Sequence, residues 1–175
     1  MLLQACEYSD AMRQYRKTLD FDANFSVAYW GLGLVYEQLG MYDEAIAQMK
    51  RATELSGGSL VHLAALGRAY AVASRTDEAL GVLEELKALS KERFVPSADV
   101  ALIHVALGDG DGAFALLEKA YEEHADLVVE MNVFPGFDPI RSDPRFADLL
   151  RNRFAAMSIK ILSPITAKTC NQSSG

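Results

Sequence analysis

Ser26-Val27-Ala28-Tyr29-Trp30-Gly31-Leu32-Gly33-Leu34-Val35-Tyr36-Glu37-Gln38-Leu39-Gly40 reads as an apolar helix stopped by a glycine. Met41-Tyr42-Asp43-Glu44-Ala45-Ile46-Ala47-Gln48-Met49-Lys50-Arg51-Ala52 follows at once and reads as a second, amphipathic helix. The same residue types then return at one fixed distance. Gly33 and Gly67 are 34 positions apart, as are Tyr36 and Tyr70. Ala11, Ala45, Ala79 and Ala113 keep the same step, and so do Asp43, Asp77 and Asp111. A period of this length marks helix pairs stacked side by side, each hiding an apolar face that it cannot bury alone.

Setting the first position of the repeat at Ser26, Leu60 and Phe94 gives units 26–59, 60–93 and 94–127. The helices are expected near 26–39 and 42–55, 60–73 and 76–89, and 97–107 and 111–124, with Pro96 in a first turn. Residues 7–25 fit the second helix of a unit without its first. The chain therefore reads as a piece of a longer array, or as one truncated at its start. Residues 128–142, with Pro135, Gly136 and Pro139, do not repeat and read as an ordered loop. Asp143 and Pro144 suit the start of a capping helix, 143–157, whose apolar face is Phe146, Leu149, Leu150 and Phe154. Residues 158–175 read as a partly disordered tail in which Ile159, Ile161 and Leu162 are apolar enough to dock. The expected fold is an all-α helix-turn-helix solenoid over residues 1–157, with about eight helices and a C-terminal cap.

These residues resemble the tetratricopeptide repeat. The first unit carries Tyr29, Leu32-Gly33, Tyr36, Gly40, Tyr42, Ala45, Met49 and Ala52. The second carries Leu63, Leu66-Gly67, Tyr70, Ala79, Leu83 and Leu86, and the third Ala101, His104, Gly108, Ala113, Leu117 and Ala120. The family's proline near the end of each unit is replaced by Ala23, Gly57 and Lys91. Leu116 to Tyr121 together with Asp138 to Leu150 are similar to the ends of bacterial arrays fused behind winged-helix regulators, serine/threonine kinases or adenylate cyclases. That second resemblance implies a bacterial sensor or regulatory arm as an alternative role.

The family resemblance implies a concave face lined by the first helix of each pair. By register, its partner-binding residues are Val27, Trp30, Leu34 and Glu37, then Val61, Ala64, Arg68 and Ala71, then Val95, Ala98 and Leu102. Such a mostly apolar groove suits an amphipathic helix or an extended hydrophobic segment of a protein partner. Arg68 has two readings, a contact to an acidic partner group or a pair with Glu37 one repeat away. The loop 128–141 or the tail would cover the groove from within, and a second copy of the chain is the third candidate occupant. The Lys and Asn pattern that grips a C-terminal carboxylate in one subclass is absent, since Trp30, Leu34, Ala65, Val95 and Asp99 stand there.

Composition narrows the function further. The 175 residues carry a net charge of -7, and no basic stripe is visible, which argues against nucleic acid. No apolar run reaches the roughly 18–20 residues that span a bilayer. Cys6 and Cys170 are too few and too far apart for a disulfide framework, and point to a reducing cytoplasm. Gly31-Leu32-Gly33 lacks the third glycine of a dinucleotide loop, because Tyr36 is there. Asp109-Gly110-Asp111-Gly112 reads as a turn, since Ala113 holds a calcium-ligand position. His62, His104 and His124 share no metal spacing, and His104 is expected in the core. The sequence therefore reads as a non-enzymatic interaction scaffold without cofactor or metal.

Overall fold

Gly40, Ser74 and Gly108 occupy one register position and share one left-handed backbone conformation, with φ of 71°, 60° and 79°. Each ends a helix in the same way. The next amide donates to a carbonyl five residues back, Met41 to Tyr36, Arg75 to Tyr70 and Asp109 to His104, each at 2.9 Å. A left-handed residue with this bond is the turn that lets a second helix fold back at once. Three copies of it set the architecture.

The computed structural model describes residues 2–123, 131 and 133–151 of the chain. A lone helix comes first, α1 (Leu2–Phe21). Three antiparallel pairs follow: α2 (Ser26–Gln38) with α3 (Tyr42–Leu55), α4 (Leu60–Val72) with α5 (Thr76–Leu89), and α6 (Ser97–Ala106) with α7 (Gly110–Glu122). A 3-10 turn, Pro135–Ile140, then leads to a helical segment at 144–151. No strand occurs among the described residues, and no helix there is long and apolar enough to cross a membrane. The fold is the expected all-α solenoid. Residues 152–157 of the expected cap and the tail 158–175 lie outside the described residues.

The two helices of a pair differ in chemistry. α2, α4 and α6 are apolar on most sides, as suits helices sandwiched between neighbours. α3, α5 and α7 carry acidic residues in their first turns, Asp43-Glu44, Asp77-Glu78 and Asp111, where the helix dipole favours them. Ala45, Ala79 and Ala113 are fully buried at one register position. Side chains at Gly33 and Gly67 would collide with neighbours. A Cβ at Gly67 falls 2.8 Å from both Ile103 Cδ1 and Val82 Cγ1. α4 is thus pressed against α5 on one side and α6 on the other.

The ends of the stack break the regularity. On α1 the positions matching the buried Ala45, Ile46 and Met49 are Ala11, Met12 and Tyr15, and all three stay half-exposed. At the other end Phe137 and Ile140 of the 3-10 turn join Phe146 against Ala113, Phe114 and Leu117. The cap is therefore composite, and the stretch expected as a loop supplies a large share of it.

The third unit also departs from the other two. α6 begins at Ser97, the start expected from Pro96 and three residues later in register than α2 and α4. Phe94 is 69 % exposed, although its counterpart Leu60 is 7 % exposed. α5 is also less covered than the second helices of the other two pairs. Ile46, Leu80 and Phe114 share one register position and are 3 %, 47 % and 3 % exposed. The shortened helix is capped from a distance: Glu123 accepts from the Ser97 amide at 3.2 Å and from its hydroxyl at 2.8 Å.

Close approach at Gly67 gives a paired stability test. Gly67→Ala is expected to destabilise by about 1–3 kcal/mol through overpacking. Gly81→Ala, whose Cβ meets nothing within 4 Å, is expected to stabilise by about 0.5–1 kcal/mol. Urea denaturation of both variants measures the contrast.

Candidate functional site

Helices α2, α4 and α6 lie next to one another, so side chains from equivalent turns meet along one trough. A cavity of about 70 Å³ lies in this trough. Of the residues that register places on the concave face, Trp30, Leu34, Val61, Ala64, Arg68 and Leu102 line it. Three further residues complete the lining: Ala65, Asp99 and Phe134. Trp30 and Leu34 are half-buried, while Val27 and Val61 are exposed at the mouth of the face. Ala71 and Ala98 are buried beneath neighbours. Val95 precedes the shortened α6 and lines a different opening, described below.

Glu37 and Arg68 form the polar floor. Arg68 Nη2 stands 2.7 Å from Glu37 Oε2, with both side chains almost fully buried. Of the two readings of Arg68, the structure has the ion pair with Glu37. Burial raises the Glu37 pKa, with the Arg68 charge pulling the other way. Glu37 Oε1 has no hydrogen-bond partner. Breaking such a pair by removing one member costs more than the intact pair contributes, because it strands a charge away from water.

Asp99 and Phe134 were not among the residues expected to bind. Phe134 arrives from the segment before the 3-10 turn and lies over the Arg68 guanidinium, 5.4 Å from ring centroid to Cζ. Among the described residues of the region 128–141, Phe134 therefore reaches the trough from within. Asp99, in the first turn of α6, faces the same cavity. Burial lifts its carboxyl to about 6, although Arg68 draws it down. The sequence signal for Asp99 was its place among apolar neighbours, Ala98, Val100, Ala101 and Leu102. Phe134 had no repeat position to betray it.

His62 sits at the edge of the trough. Its ring packs edge-on to Trp30 at 6.3 Å between centroids. Its Nδ1 is 2.9 Å from Ser59 Oγ, while Nε2 is buried without a partner. Burial lowers the His62 pKa, so the neutral ring is favoured. A hydroxyl beside an imidazole is a nucleophile–base pair, but with Nε2 unpartnered no third group orients this ring as a triad would require. His104 is not the core residue expected of it. It is partly exposed and bonded to Asp109 Oδ2 at 2.8 Å, across the turn that joins α6 to α7.

A second and larger opening, of about 670 Å³, lies between α5 and the α6–α7 pair. Leu83, Val95, Val100 and Leu116 give it apolar walls, and Leu80 stands at its rim. Val95 and Ser97, on either side of Pro96 at the start of α6, form one end of it. The delay imposed by Val95-Pro96 was the available sequence signal.

Residues 26–58 match the family model of the tetratricopeptide repeat. No curated protein matches the chain.

The Asp99 carboxyl yields a pH prediction. A folded pKa above the unfolded value means that the folded chain binds more protons between roughly pH 4 and 6. This group's penalty is therefore present at pH 7.5 and relieved as the pH falls through about 6. Asp99→Asn is expected to stabilise by about 1–2 kcal/mol at pH 7.5, and the gain is expected to shrink by pH 5. Thermal melts of both proteins at the two pH values check it.

Proposed function

We propose that this chain, a tetratricopeptide-repeat protein, is an interaction scaffold that holds an apolar segment of a protein partner in the trough of α2, α4 and α6. One observation carries the reading. Val27 and Val61 at the mouth, with Trp30 and Leu34 behind them, remain open to solvent along two successive helices whose other faces are buried. An apolar stripe of this kind fits the anchors of an amphipathic helix or an extended segment. Trp30 is the central anchor, since aromatic side chains at the middle of an interface carry a large share of binding energy.

The floor of the trough supports binding over catalysis. Its two strongest charges, Glu37 and Arg68, are spent on each other. Cys6 and Cys170, widely spaced and few, support a reducing compartment such as the cytoplasm. The half-exposed Ala11 and Met12 of α1 support a second reading, in which the stack is the regulatory arm of a larger assembly.

The test is affinity capture from a bacterial lysate with the wild-type chain and with Trp30→Ala and Leu34→Ala, followed by affinity measurement on a captured partner. Trp30→Ala is expected to weaken that complex about 30-fold or more. Equal recovery of the same partners by all three proteins would contradict the groove assignment.

A further inference from the structure

Arg68 brings more hydrogen-bond donors into the trough than its surroundings use. Its side chain is buried, and its Nη2 stands 2.7 Å from Glu37 Oε2. The two charges compensate, yet the approach lacks hydrogen-bond geometry and leaves Nη2 without a hydrogen-bond partner. A guanidinium carries five N–H donors in one plane. Arg68 and Asp99 line the same cavity, whereas Glu37 does not. Asp99 feels the Arg68 charge, but it neither bonds to Arg68 nor accepts a hydrogen bond from another described residue. The lining therefore presents donors on α4 and an acceptor carboxylate on α6, with no direct bond between them. Unmet donors and acceptors in a buried place cost free energy, so a group that answers both at once gains from both.

Charge and size define that group. An anion would meet Asp99 where Glu37 has already neutralised Arg68, and a cation would meet the guanidinium. A neutral group with an acceptor and a donor side by side suits both walls. A primary carboxamide is such a group, since its oxygen accepts and its –NH2 donates. The cavity of about 70 Å³ holds roughly five water-sized positions. A glutamine side chain, Cβ to its amide, fills that many, while the shorter side chains of serine and threonine leave much of the space empty. We propose that this cavity receives the carboxamide of a partner glutamine, its oxygen toward Arg68 and its –NH2 toward Asp99, with its stem against Trp30 and Leu102. The inference rests on the trough being the partner site. It adds the partner's chemistry: an apolar segment with one glutamine set among its anchors.

A random library of twelve-residue peptides displayed on phage, panned on the full chain at pH 7.5, tests this. The fluorescence of Trp30, the single tryptophan, then reports the binding of selected synthetic peptides. The expected result is a recurring glutamine flanked by apolar residues. Replacing that glutamine by methionine, of similar length but without the amide, weakens binding to the wild-type chain about tenfold or more. Replacing it by glutamate does the same, because a second carboxylate then faces Asp99. On Asp99→Asn, whose own amide can donate to a carboxylate, the glutamine and glutamate peptides bind within about threefold of each other. Peptides enriched without a recurring glutamine, bound equally with methionine, or keeping the full glutamine-over-glutamate preference on Asp99→Asn would overturn the carboxamide site while leaving the trough as a partner site. Peptides whose binding ignores Trp30→Ala, or a failure to enrich any, would overturn both.

Discussion

Backbones in this chain approach more closely than side chains would ordinarily permit, and the stack depends on that closeness. Gly33 and Gly67 stand where a methyl group would strike Met49 on one helix, or Val82 and Ile103 on two. Ala45, Ala79 and Ala113 are the complementary small residues on the second helices, and all are fully buried. With these contacts each pair presses its apolar surface onto the next. Without them the pairs would separate and expose helices such as α4, which is apolar on nearly every side. The stability of such an array comes from its interfaces more than from any single unit.

The interior trough follows from the same stacking. Because α2, α4 and α6 are neighbours, Glu37 on one helix reaches Arg68 on the next, and Asp99 on the third faces the same space. Three ionisable groups thus meet in a mostly apolar channel. Phe134 returns from beyond the repeats to cover part of this floor. The irregular third unit has the opposite effect on the far side. There Leu80 and Phe94 stand in solvent, and a space opens beside α5.

Much of this was written in the sequence because stacking requires a period. The helix pairs, the close-approach glycines and the buried alanines all fall on the 34-residue step. The Glu37–Arg68 pair was legible as one of two readings, since the residues lie near one another a repeat apart. Ser74 was not legible as a left-handed residue, because its type resembles neither Gly40 nor Gly108 although its hydrogen bonds match theirs. The composite cap was half visible: Phe146 showed helical spacing, while Phe137 and Ile140 sat among prolines and read as loop. Val95 was assigned to the concave face by register alone, although the expected helix start at 97 already left it outside α6, and it lines the opening beside α5. His104 looked like core because Tyr36 and Tyr70 occupy the same register, yet Asp109 across the turn offers it a hydrogen bond at 2.8 Å.

Spin labels at Arg13, Ala47 and Ala115 test the stacked arrangement most directly. The three sites share one register position on α1, α3 and α7, and none is buried. In a solenoid their separations must grow with the number of repeats between them, by roughly 10 Å or more at each step of packed helices. The account predicts that the 13–115 distance exceeds the 47–115 distance, which in turn exceeds the 13–47 distance. A 13–115 distance no longer than 13–47 would mean that the chain closes into a globular bundle, and would contradict it.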